Sequence, residues 1–595
     1  FILVFDKLSA FFILVVNIAI LVGLLYARGY LKPYYNQKTA LHLAVHYFAY
    51  IWLYFSMILV LACRDGLSFL IAWEVMAITS FFLVIFDAHD KNIMKIGVNY
   101  LIQMHVGMAL IMISLLLVEK ATGRLSFDAL PEYFTRHSNW PLFLLFFAGF
   151  AIKAGFIPLH TWLPQAHPAA PSHVSGVMSG VMIKMGIYGI LRVVINLQAD
   201  FLIIGVIVLI VSLISGILGV MLAIVQHDLK RLLAYHSIEN IGIIGIGIGL
   251  GLIGQATNNT ALILLGYSGA LLHVLNHSLF KSLLFFSAGS VYQATGTRNI
   301  EKTGGLMKKM PYTALLFLLG SLAICGLPPF NGFISEYLIY FGMFKSLGSA
   351  GLYQSIVLLF SIVGLTLIGG LAIFCFTKAF GIVFLGQART KEMENVREVS
   401  KSMLLPQLLN VVFILAIGFV SIWFVKPIFS VIEHALNISF ADYQMFTNNL
   451  VQINTLSGIF ILVVIGLLLI RYFYLKRKTV EIGPTWGCGY TAPNSKLQYT
   501  STSYAANYHK LAKPLVRKKV EADKIEETEI FPGEKSFKTE AEDVFETKMT
   551  NKPVNRLLKL LDKIAIMQTG QIQHYILYAF VFMLIIFALT YFNLI

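Results

Sequence analysis

The chain has 595 residues, of which only 13% are charged, against roughly 25% in soluble domains. Its mean hydropathy is +0.76 and 57% of its residues are hydrophobic, which excludes an ordinary soluble enzyme. The net charge of +15 comes without a basic patch interleaved with aromatic residues, so nucleic acid is not expected as a partner.

Apolar segments long enough to cross a bilayer recur along the whole chain. A spanning helix needs about 20 mostly apolar residues, and backbone polar groups in lipid must be satisfied within the segment. Such segments start near residues 8, 43, 66, 95, 141, 173, 201, 232, 258, 312, 353, 404, 455 and 572. The sequence therefore predicts an all-α polytopic membrane protein with about 14 transmembrane helices, which has the lipid bilayer as its first partner.

Lys and Arg are distributed unevenly between the two sets of alternating loops. The loops on the side of residues 29–42 carry about twice as many as the opposite loops, even without the long segment 476–571. Because positively charged loops face the cytoplasm, we predict a multi-pass protein of the cell inner membrane whose C-terminus lies outside. The sequence opens at Phe1 in mid-pattern, so we expect N-terminal residues to be missing from it.

Several titratable residues lie inside these apolar segments. A charge at the bilayer centre costs about 2.5–3.5 kcal/mol on insertion scales, so such residues are rare and usually mark ion or proton pathways. The residues of this kind are Glu74, Lys153, Lys184, His273, His277, Lys281 and Glu336. Several of them in one chain indicate a proton relay.

Two of the apolar segments contain prolines that predict broken helices. In FAIKAGFIPLHTWLP (150–164), Pro158 follows the intramembrane lysine by five residues, and in CGLPPFNGFISEYL (325–338), two prolines precede Glu336. Proline removes a helical hydrogen bond and clashes with the preceding turn. Each break has an ionisable residue beside it, which favours ion sites over ordinary proline kinks.

The sequence predicts no cofactor and no metal site in this chain. The four cysteines are Cys63, Cys325, Cys375 and Cys488, and they are not grouped as iron–sulfur ligation requires. No phosphate-binding loop, dinucleotide fingerprint or zinc motif occurs either. Energy for transport must therefore come from an ion gradient or from a partner.

Four runs of sequence resemble the antiporter-like, proton-translocating subunits of respiratory complex I and of Mrp cation/proton antiporters. They are AIKAGFIPLHTWLPQAHPAAPSHVSGVMSGVMIKMGIYG (151–189), HDLKRLLAYHSIENIG (227–242), LLHVLNHSLFKSLLFFSAGSV (271–291) and GLPPFNGFISEYL (326–338). The resemblance implies two inverted five-helix repeats, 43–197 and 201–385, each with a broken helix. An N-terminal helix (1–42), C-terminal helices (386–475), a cytoplasmic insert (476–571) and a final transmembrane helix (572–595) complete the expected organisation.

Two further runs resemble the large membrane subunit of group 4 membrane-bound NiFe-hydrogenases, the formate hydrogenlyase and hydrogenase-4 type. They are FCFTKAFGIVFLGQART (374–390) and PTWGCGYTAPNSKLQYTSTSYA (484–505). This resemblance implies a proton-translocating subunit in a redox-driven complex. A hydrogenase-like large subunit with the NiFe centre, an iron–sulfur subunit with its clusters and other membrane subunits would be its partners. An Mrp-type antiporter subunit and a quinone-reducing complex I subunit are the alternatives.

The resemblance also implies roles for the buried residues. Glu74 would pair with Lys153, favouring the charged form of the lysine while burial favours the neutral form. Lys184 would be a middle relay group, and Glu336 the terminal site. His273, His277 and Lys281 are spaced at i, i+4 and i+8, which places them on one helix face.

Other polar residues have two interpretations each. His236 and Glu239 either line the channel or make helix-end hydrogen bonds, and Lys378 is either an exit-side relay group or a lysine that snorkels to the interface. His105 is expected to be a satisfied core group. Three further histidines lie in the Pro-rich connection PLHTWLPQAHPAAPSH, namely His160, His167 and His173, and we expect them to line a loop or cavity. The charged stretch 506–560 predicts a solvated insert that docks a partner, or a disordered one.

Overall fold

The structure is a computed structural model that describes residues 3–439, 444–479, 489–490, 494–512, 516–523, 529–530, 533, 535–565 and 572–591. Within these residues, 11 helices are long and apolar enough to cross a membrane, and three shorter apolar helices accompany them. The predicted helical membrane fold is therefore confirmed. The exact number of 14 spans stays a prediction, as does the division into two repeats.

The helices of the first part of the chain are α1 (Lys7–Tyr30), α2 (Ala40–Ala62), α3 (Gly66–Val84), α4 (Lys91–Thr122), α5 (Leu130–Arg136), α6 (Asn139–Ala154), α7 (Leu163–Ala169), α8 (Ser172–Val177) and α9 (Lys184–Val194). A π-helical turn, Met178–Met182, joins α8 to α9, so that Ser172–Val194 is one continuous span.

The helices of the second part are α10 (Phe201–Ile224), α11 (Leu229–Ala256), α12 (Thr260–Thr295), α13 (Pro311–Ile324), α14 (Asn331–Leu347), α15 (Leu352–Phe384), α16 (Lys391–Glu394), α17 (Lys401–Phe419) and α18 (Ser421–Leu436). They are followed by α19 (Gln444–Lys476), α20 (Ser501–Ala512), α21 (Lys552–Ala565) and α22 (Ile572–Tyr591). Short 3₁₀ turns lie at Lys32–Asn36, Phe127–Ala129, Ile300–Lys302, Leu306–Lys308 and Ser495–Leu497, and a second π turn lies at Glu546–Asn551.

Capping side chains fix where many of the spans begin. An N-terminal helix turn leaves backbone N–H groups without partners, and a side-chain oxygen at the preceding residue accepts from one of them. Six spanning helices begin this way, after Asp6, Thr39, Asp65, Asp90, Asp228 and Asn259. These short polar residues directly before an apolar run set the boundaries of the membrane-crossing segments.

Both predicted broken helices are present. The helix α6 ends at Ala154 and is capped by Gly155, whose φ of +87° is left-handed; the chain then passes Pro158 before α7 begins. The second break separates α13 from α14 and contains Gly326, with a φ of +61°. A Cβ at Gly326 would lie 2.7 Å from the carboxylate of Glu336, so the glycine lets that carboxylate lie against the break.

Small residues bring α10 and α11 into close contact. A Cβ at Gly242 would lie 2.5 Å from the backbone nitrogen of Gly216, and one at Gly219 would lie 2.7 Å from that of Glu239. Transmembrane helices associate by such backbone approach because lipid is as apolar as their side chains. The contact fixes the position of α11, which lies at the centre of the molecule and is buried along nearly its full length.

The insert 476–571 adds one short hairpin to the otherwise helical chain. An antiparallel hairpin pairs β1 (Val516–Ala522) with β2 (Phe537–Asp543), placing Val516 opposite Asp543. Both strands are rich in charged residues, and Lys519 and Glu542 form a cross-strand ion pair of 2.5 Å.

The described part of the insert docks on the chain's own loops. The backbone N–H groups of Ser501 and Thr502 donate to the carboxylate of Glu301 at 3.1 and 2.6 Å. His227 lies 3.0 Å from the hydroxyl of Ser501 and 2.9 Å from that of Thr539. These contacts place the described part of the insert on the side of the positively charged loops. Of the run 484–505, residues 484–488 and 491–493 lie outside the described residues.

Candidate functional site

Residues 233–240 of α11 form a buried stretch that we call the α11 cluster. Within it, Nδ1 of His236 is hydrogen-bonded to the carboxylate of Glu239, three residues further along the helix. Both residues lie in the interior of α11, away from its ends, so the interpretation as helix-end hydrogen bonding is wrong. Residues 233, 236, 237 and 240 lie on one face because their spacing follows the helical repeat.

The first lysine at the α11 cluster is Lys281, from α12. Its Nζ donates to the carbonyl of Leu233, and its side chain is buried. Its Nζ also lies 5.3 Å from the ring centroid of Phe285, one helical turn further along α12. The predicted relay face of α12 therefore ends at α11.

A second lysine, Lys184, reaches the same cluster through the π turn. Its Nζ donates to the carbonyl of Ser179, whose hydroxyl lies 2.8 Å from that of Ser237. A π turn changes the direction in which carbonyls and side chains point, and such turns are frequent at functional sites. Lys281 contacts α11 at Leu233, and Lys184 connects with it through Ser179 at Ser237, four residues further along the helix. The two lysines belong to two different elements.

The third contact leads from the α11 cluster to the second broken helix. Nε2 of His273 lies 3.0 Å from Oδ1 of Asn240, and its Nδ1 lies 2.9 Å from the hydroxyl of Ser335. Asn276, one turn further along α12, donates to the same hydroxyl at 2.9 Å. Ser335 directly precedes Glu336, so the imidazole of His273 connects the cluster with the predicted terminal carboxylate.

His277 lies between His273 and Lys281 on the same helix. The rings of His273 and His277 are nearly parallel, with centroids 6.4 Å apart. Among the described residues, neither ring nitrogen of His277 has a hydrogen-bond partner, and the same holds for His167. Buried polar atoms without a protein partner are generally satisfied by internal water.

Lys153 is buried in the last turn of α6, immediately before the first break. Its Nζ lies 3.4 Å from the hydroxyl of Tyr100, which lies 2.5 Å from that of Ser80. The ammonium also lies 5.9 Å from the ring centroid of Trp73 and 5.8 Å from that of Tyr100. Aromatic faces and hydroxyls therefore surround this lysine.

Glu74, the predicted partner charge of Lys153, makes its direct contact with another residue, so its role toward the lysine stays a prediction. Glu74 forms a pair of 2.9 Å with Nε2 of His105, and the two side chains are 23% and 46% exposed. Adjacent residues of a helix point about 100° apart, so that Trp73 faces inward while Glu74 faces the surface of α3. Both ring nitrogens of His105 have partners, as expected of a satisfied group, but its exposure shows that it does not belong to the core.

Lys378 does not snorkel to the interface. It is fully buried in α15, and its Nζ donates to the carbonyls of Ile224 and Gln226 at 2.5 and 2.8 Å. These carbonyls belong to the C-terminal end of α10, where a cation is favoured by the helix dipole. The snorkelling interpretation is therefore wrong, whereas the exit-side relay role stays a prediction.

The sequence reasoning missed one cluster, which joins the first break to the insert. The carboxylate of Asp543 lies 2.9 Å from Nε2 of His160 and accepts at 3.1 Å from the hydroxyl of Tyr235. Burial raises the pKa of Asp543, but hydrogen bonds from His160, from Tyr235 and from the backbone of Phe545 bring that pKa below its ordinary value. No local signal could reveal this contact, because 383 residues separate Asp543 from His160.

The described cysteines Cys63, Cys325 and Cys375 are buried and free. Across the described part of the chain, no group of three or more His, Cys, Asp or Glu side chains could hold a metal ion. Cys488 lies outside the described residues.

Comparisons with known proteins place these features in context. Residues 63–366 match the family described as "NADH:quinone oxidoreductase/Mrp antiporter, TM". Hydrogenase-4 component B of Escherichia coli (strain K12) is 39% identical over 72% of this chain and 64% of its own length. Formate hydrogenlyase subunit 3 of the same strain is 40% identical over 56% of this chain and 54% of its own length. The chain therefore spans less than two thirds of either relative.

A solved structure of similar fold comes from the membrane-bound sulfane sulfur reductase, an archaeal respiratory membrane complex. The two chains superpose with a TM-score of 0.71 at 20% identity, over 98% of this chain and 89% of the other. At that identity the likeness shows the fold.

Proposed function

Because this chain belongs to the NADH:quinone oxidoreductase/Mrp antiporter family of transmembrane proteins, we propose that it is a proton-translocating membrane subunit of a redox-driven, hydrogenase-type complex. The observation that carries the proposal is the buried row of polar groups from Lys184 through the α11 cluster to His273 and Ser335. Ionisable residues within a membrane span indicate an ion or proton pathway because their burial is costly.

The geometry of the row suits stepwise proton transfer. The interior favours neutral lysine, whereas a nearby carboxylate favours the charged form. Lys281 reaches the helical stretch that contains Glu239, so a change at either group changes how readily the other holds a proton. His273 connects Asn240 with Ser335, and an imidazole can take a proton at one nitrogen while releasing one from the other.

The two ends of the proposed pathway are the two broken helices. Lys153 lies at the first break, and Glu336 lies against Gly326 at the second. A break exposes backbone groups within the membrane, which is tolerated where they line a cavity or are buried in protein. Protons would pass between the halves of the protein through the α11 cluster, with internal water between His277 and its neighbours.

The partners and orientation belong to the same proposal. Similarity to proteins named as components of hydrogenase-4 and formate hydrogenlyase supports a hydrogenase-like large subunit carrying a NiFe centre. An iron–sulfur subunit and other membrane subunits would complete the complex, and this chain would hold no redox centre. The insert docks on the positively charged loops, which supports a cytoplasmic insert and a C-terminus outside the inner membrane.

Metal analysis of the purified native complex, combined with proton uptake by reconstituted vesicles, tests this function. We expect nickel and iron to co-purify with the chain, and proton uptake to accompany redox turnover. Absence of nickel together with sodium-dependent transport would instead identify an Mrp-type antiporter. Iron without nickel, with quinone reduction, would identify a complex I-type subunit.

A further inference from the structure

The insert contributes a carboxylate to the membrane domain at the point where the first spanning helix is broken. Asp543, the last residue of β2, is buried, with only 1% of its side chain exposed, and so is His160 within the break. Their 2.9 Å contact joins a cytoplasmic strand to the interior of the helical bundle. A buried carboxylate so far from the rest of the pathway in sequence requires an explanation, because an unpaired buried charge is costly.

Two further contacts, both made by Glu546, hold the insert in place next to this one. Glu546, which follows Asp543 by three residues, forms an ion pair of 3.2 Å with Arg231 of α11. The same carboxylate accepts a hydrogen bond of 2.6 Å from Gln165 of α7. These contacts hold the insert against α11 and α7, next to the contact of Asp543 with His160.

A large cavity, with many polar and charged residues in its lining, leads to Asp543 from the side of the insert. Its volume is about 1340 Å³, and its lining includes Asp543, Thr539, Glu546, Arg231, His227 and Glu301. The cavity lies between the insert and the loops on which it docks. Since most of these lining groups are polar or charged, water fits this cavity and can deliver protons to the carboxylate.

On its inner side, the contact adjoins the α11 cluster. Tyr235, which donates to Asp543, belongs to that cluster and directly precedes His236. Nε2 of His160 faces Asp543, whereas its Nδ1 is buried without a hydrogen-bond partner among the described residues. The imidazole therefore has one nitrogen on the carboxylate and a second one free to face the interior.

We propose that Asp543 is the proton-access residue of this subunit, which passes protons from the cavity through His160 to the α11 cluster. The inference rests on the proposed proton-translocating function. Asp543 takes up a proton from water in the cavity and gives it to Nε2 of His160. This transfer leaves the carboxylate ionised for the next proton. The imidazolium then releases its other proton from Nδ1 toward the interior, and a flip of the ring turns the deprotonated nitrogen back toward Asp543 for the next cycle. The charged groups facing this step are Arg231 and Glu546, with Tyr235 as hydrogen-bond donor.

Proton uptake by the native complex in vesicles, normalised to assembled complex and to redox turnover, tests this role. Asp543→Asn keeps the shape and can still accept from Tyr235, but it cannot carry a proton; we expect uptake to fall about tenfold or more. Asp543→Glu restores a carboxylate and should recover uptake to within about threefold of the unmodified protein. Glu521→Gln removes the same charge from an exposed position on β1 and should leave uptake unchanged.

Rescue of proton uptake by small acids distinguishes a lost proton carrier from a packing defect, because a packing defect would not respond to added acid. Acetate fits the cavity, and in Asp543→Asn it should restore part of the uptake as its concentration rises, with no effect on the unmodified protein. Asp543→Asn uptake within about twofold of normal overturns the proposal, and so does equal loss in the Asn and Glu variants without acetate rescue. Lys153→Met separates the proposed function of the subunit from the proposed role of Asp543. If Lys153→Met abolishes uptake while Asp543→Asn does not, only the access role of Asp543 fails. If neither variant changes uptake, the proposed function itself fails.

Discussion

Nε2 of His105 lies 2.9 Å from Oε1 of Glu74, on the surface that α3 and α4 present away from the core. The pair is partly exposed, whereas Lys153 is buried among aromatic rings. The glutamate therefore acts on the lysine as a charge at a distance.

Glu74→Gln should reduce proton uptake without abolishing it, because it removes the charge that favours protonated Lys153 but leaves the pathway in place. We expect a loss of about tenfold, measured in vesicles with normal assembly. Glu119→Gln, near the end of the same helix α4, is the matched control and should behave as the unmodified protein. A normal rate in Glu74→Gln contradicts the role of this carboxylate.

A charged cluster on the opposite side of the membrane from the insert should contribute to stability. Asp6 accepts from Arg64 at 2.6 Å and from Arg192 at 2.7 Å, which ties α1 to the α2–α3 connection and to α9. Asp6→Asn leaves two largely buried guanidinium groups without a counter-charge. We expect it to lower the free energy of unfolding by about 2 kcal/mol, since the carboxylate is partly exposed. Thermal unfolding in detergent measures this, with exposed Asp128→Asn as the control.

The same cluster predicts how that stability depends on pH. Burial raises the pKa of Asp6, but hydrogen bonds and charge from Arg192, together with the charge of Arg64, hold the pKa well below its ordinary 3.8. A carboxyl whose pKa is lowered by folding stabilises the fold fully above the unfolded pKa, and its contribution is lost as pH falls. The difference in unfolding temperature between the unmodified protein and Asp6→Asn should therefore be largest above about pH 5 and shrink below about pH 3. A constant difference across that range would falsify this account.

Local patterns predicted the spans and both breaks because these depend on neighbouring residues. Apolar runs, capping residues such as Asp228 and prolines such as Pro158 act within a few positions of themselves. Which way a side chain points within a span was predicted less well: Glu74 and Lys378 both have partners that the sequence did not indicate. The contact of Asp543 with His160 joins distant segments, so no local pattern could predict it.

Glu301 should control how firmly the insert is held. Its carboxylate accepts from the first backbone N–H groups of α20 and from the hydroxyl of Thr502, so it caps that helix from a neighbouring loop. Glu301→Gln removes the negative charge from the helix N-terminus and should loosen the docked insert by about 1 kcal/mol. Limited proteolysis in membranes should then cleave the insert about fivefold faster, in line with its greater open population. Glu394→Gln, a change at the exposed last residue of the short helix α16, is the control.

The position of the insert gives a test of the membrane orientation. Because the insert docks on the positively charged loops, protease should cleave within 506–560 in inverted vesicles and leave it intact in right-side-out ones. Fluorescent labelling of a cysteine introduced at exposed Glu521 gives the same information without cleavage. Cleavage or labelling from the outside would reverse the side of every loop, and with it the direction in which the cavity delivers protons.

Substitutions of Lys153 distinguish a proton carrier from a structural cation. Lys153→Met removes the charge with little change in length and should abolish proton uptake while partner redox turnover continues in part. Lys153→Arg should also fail, because a guanidinium hardly deprotonates at any accessible pH. If the lysine is only a structural cation held by Tyr100 and the ring of Trp73, the ranking inverts, because arginine keeps both the charge and the aromatic contacts. Uptake normalised to assembled complex separates the two cases, and normal uptake in a fully assembled Lys153→Arg variant rules out a proton-carrying role for this lysine.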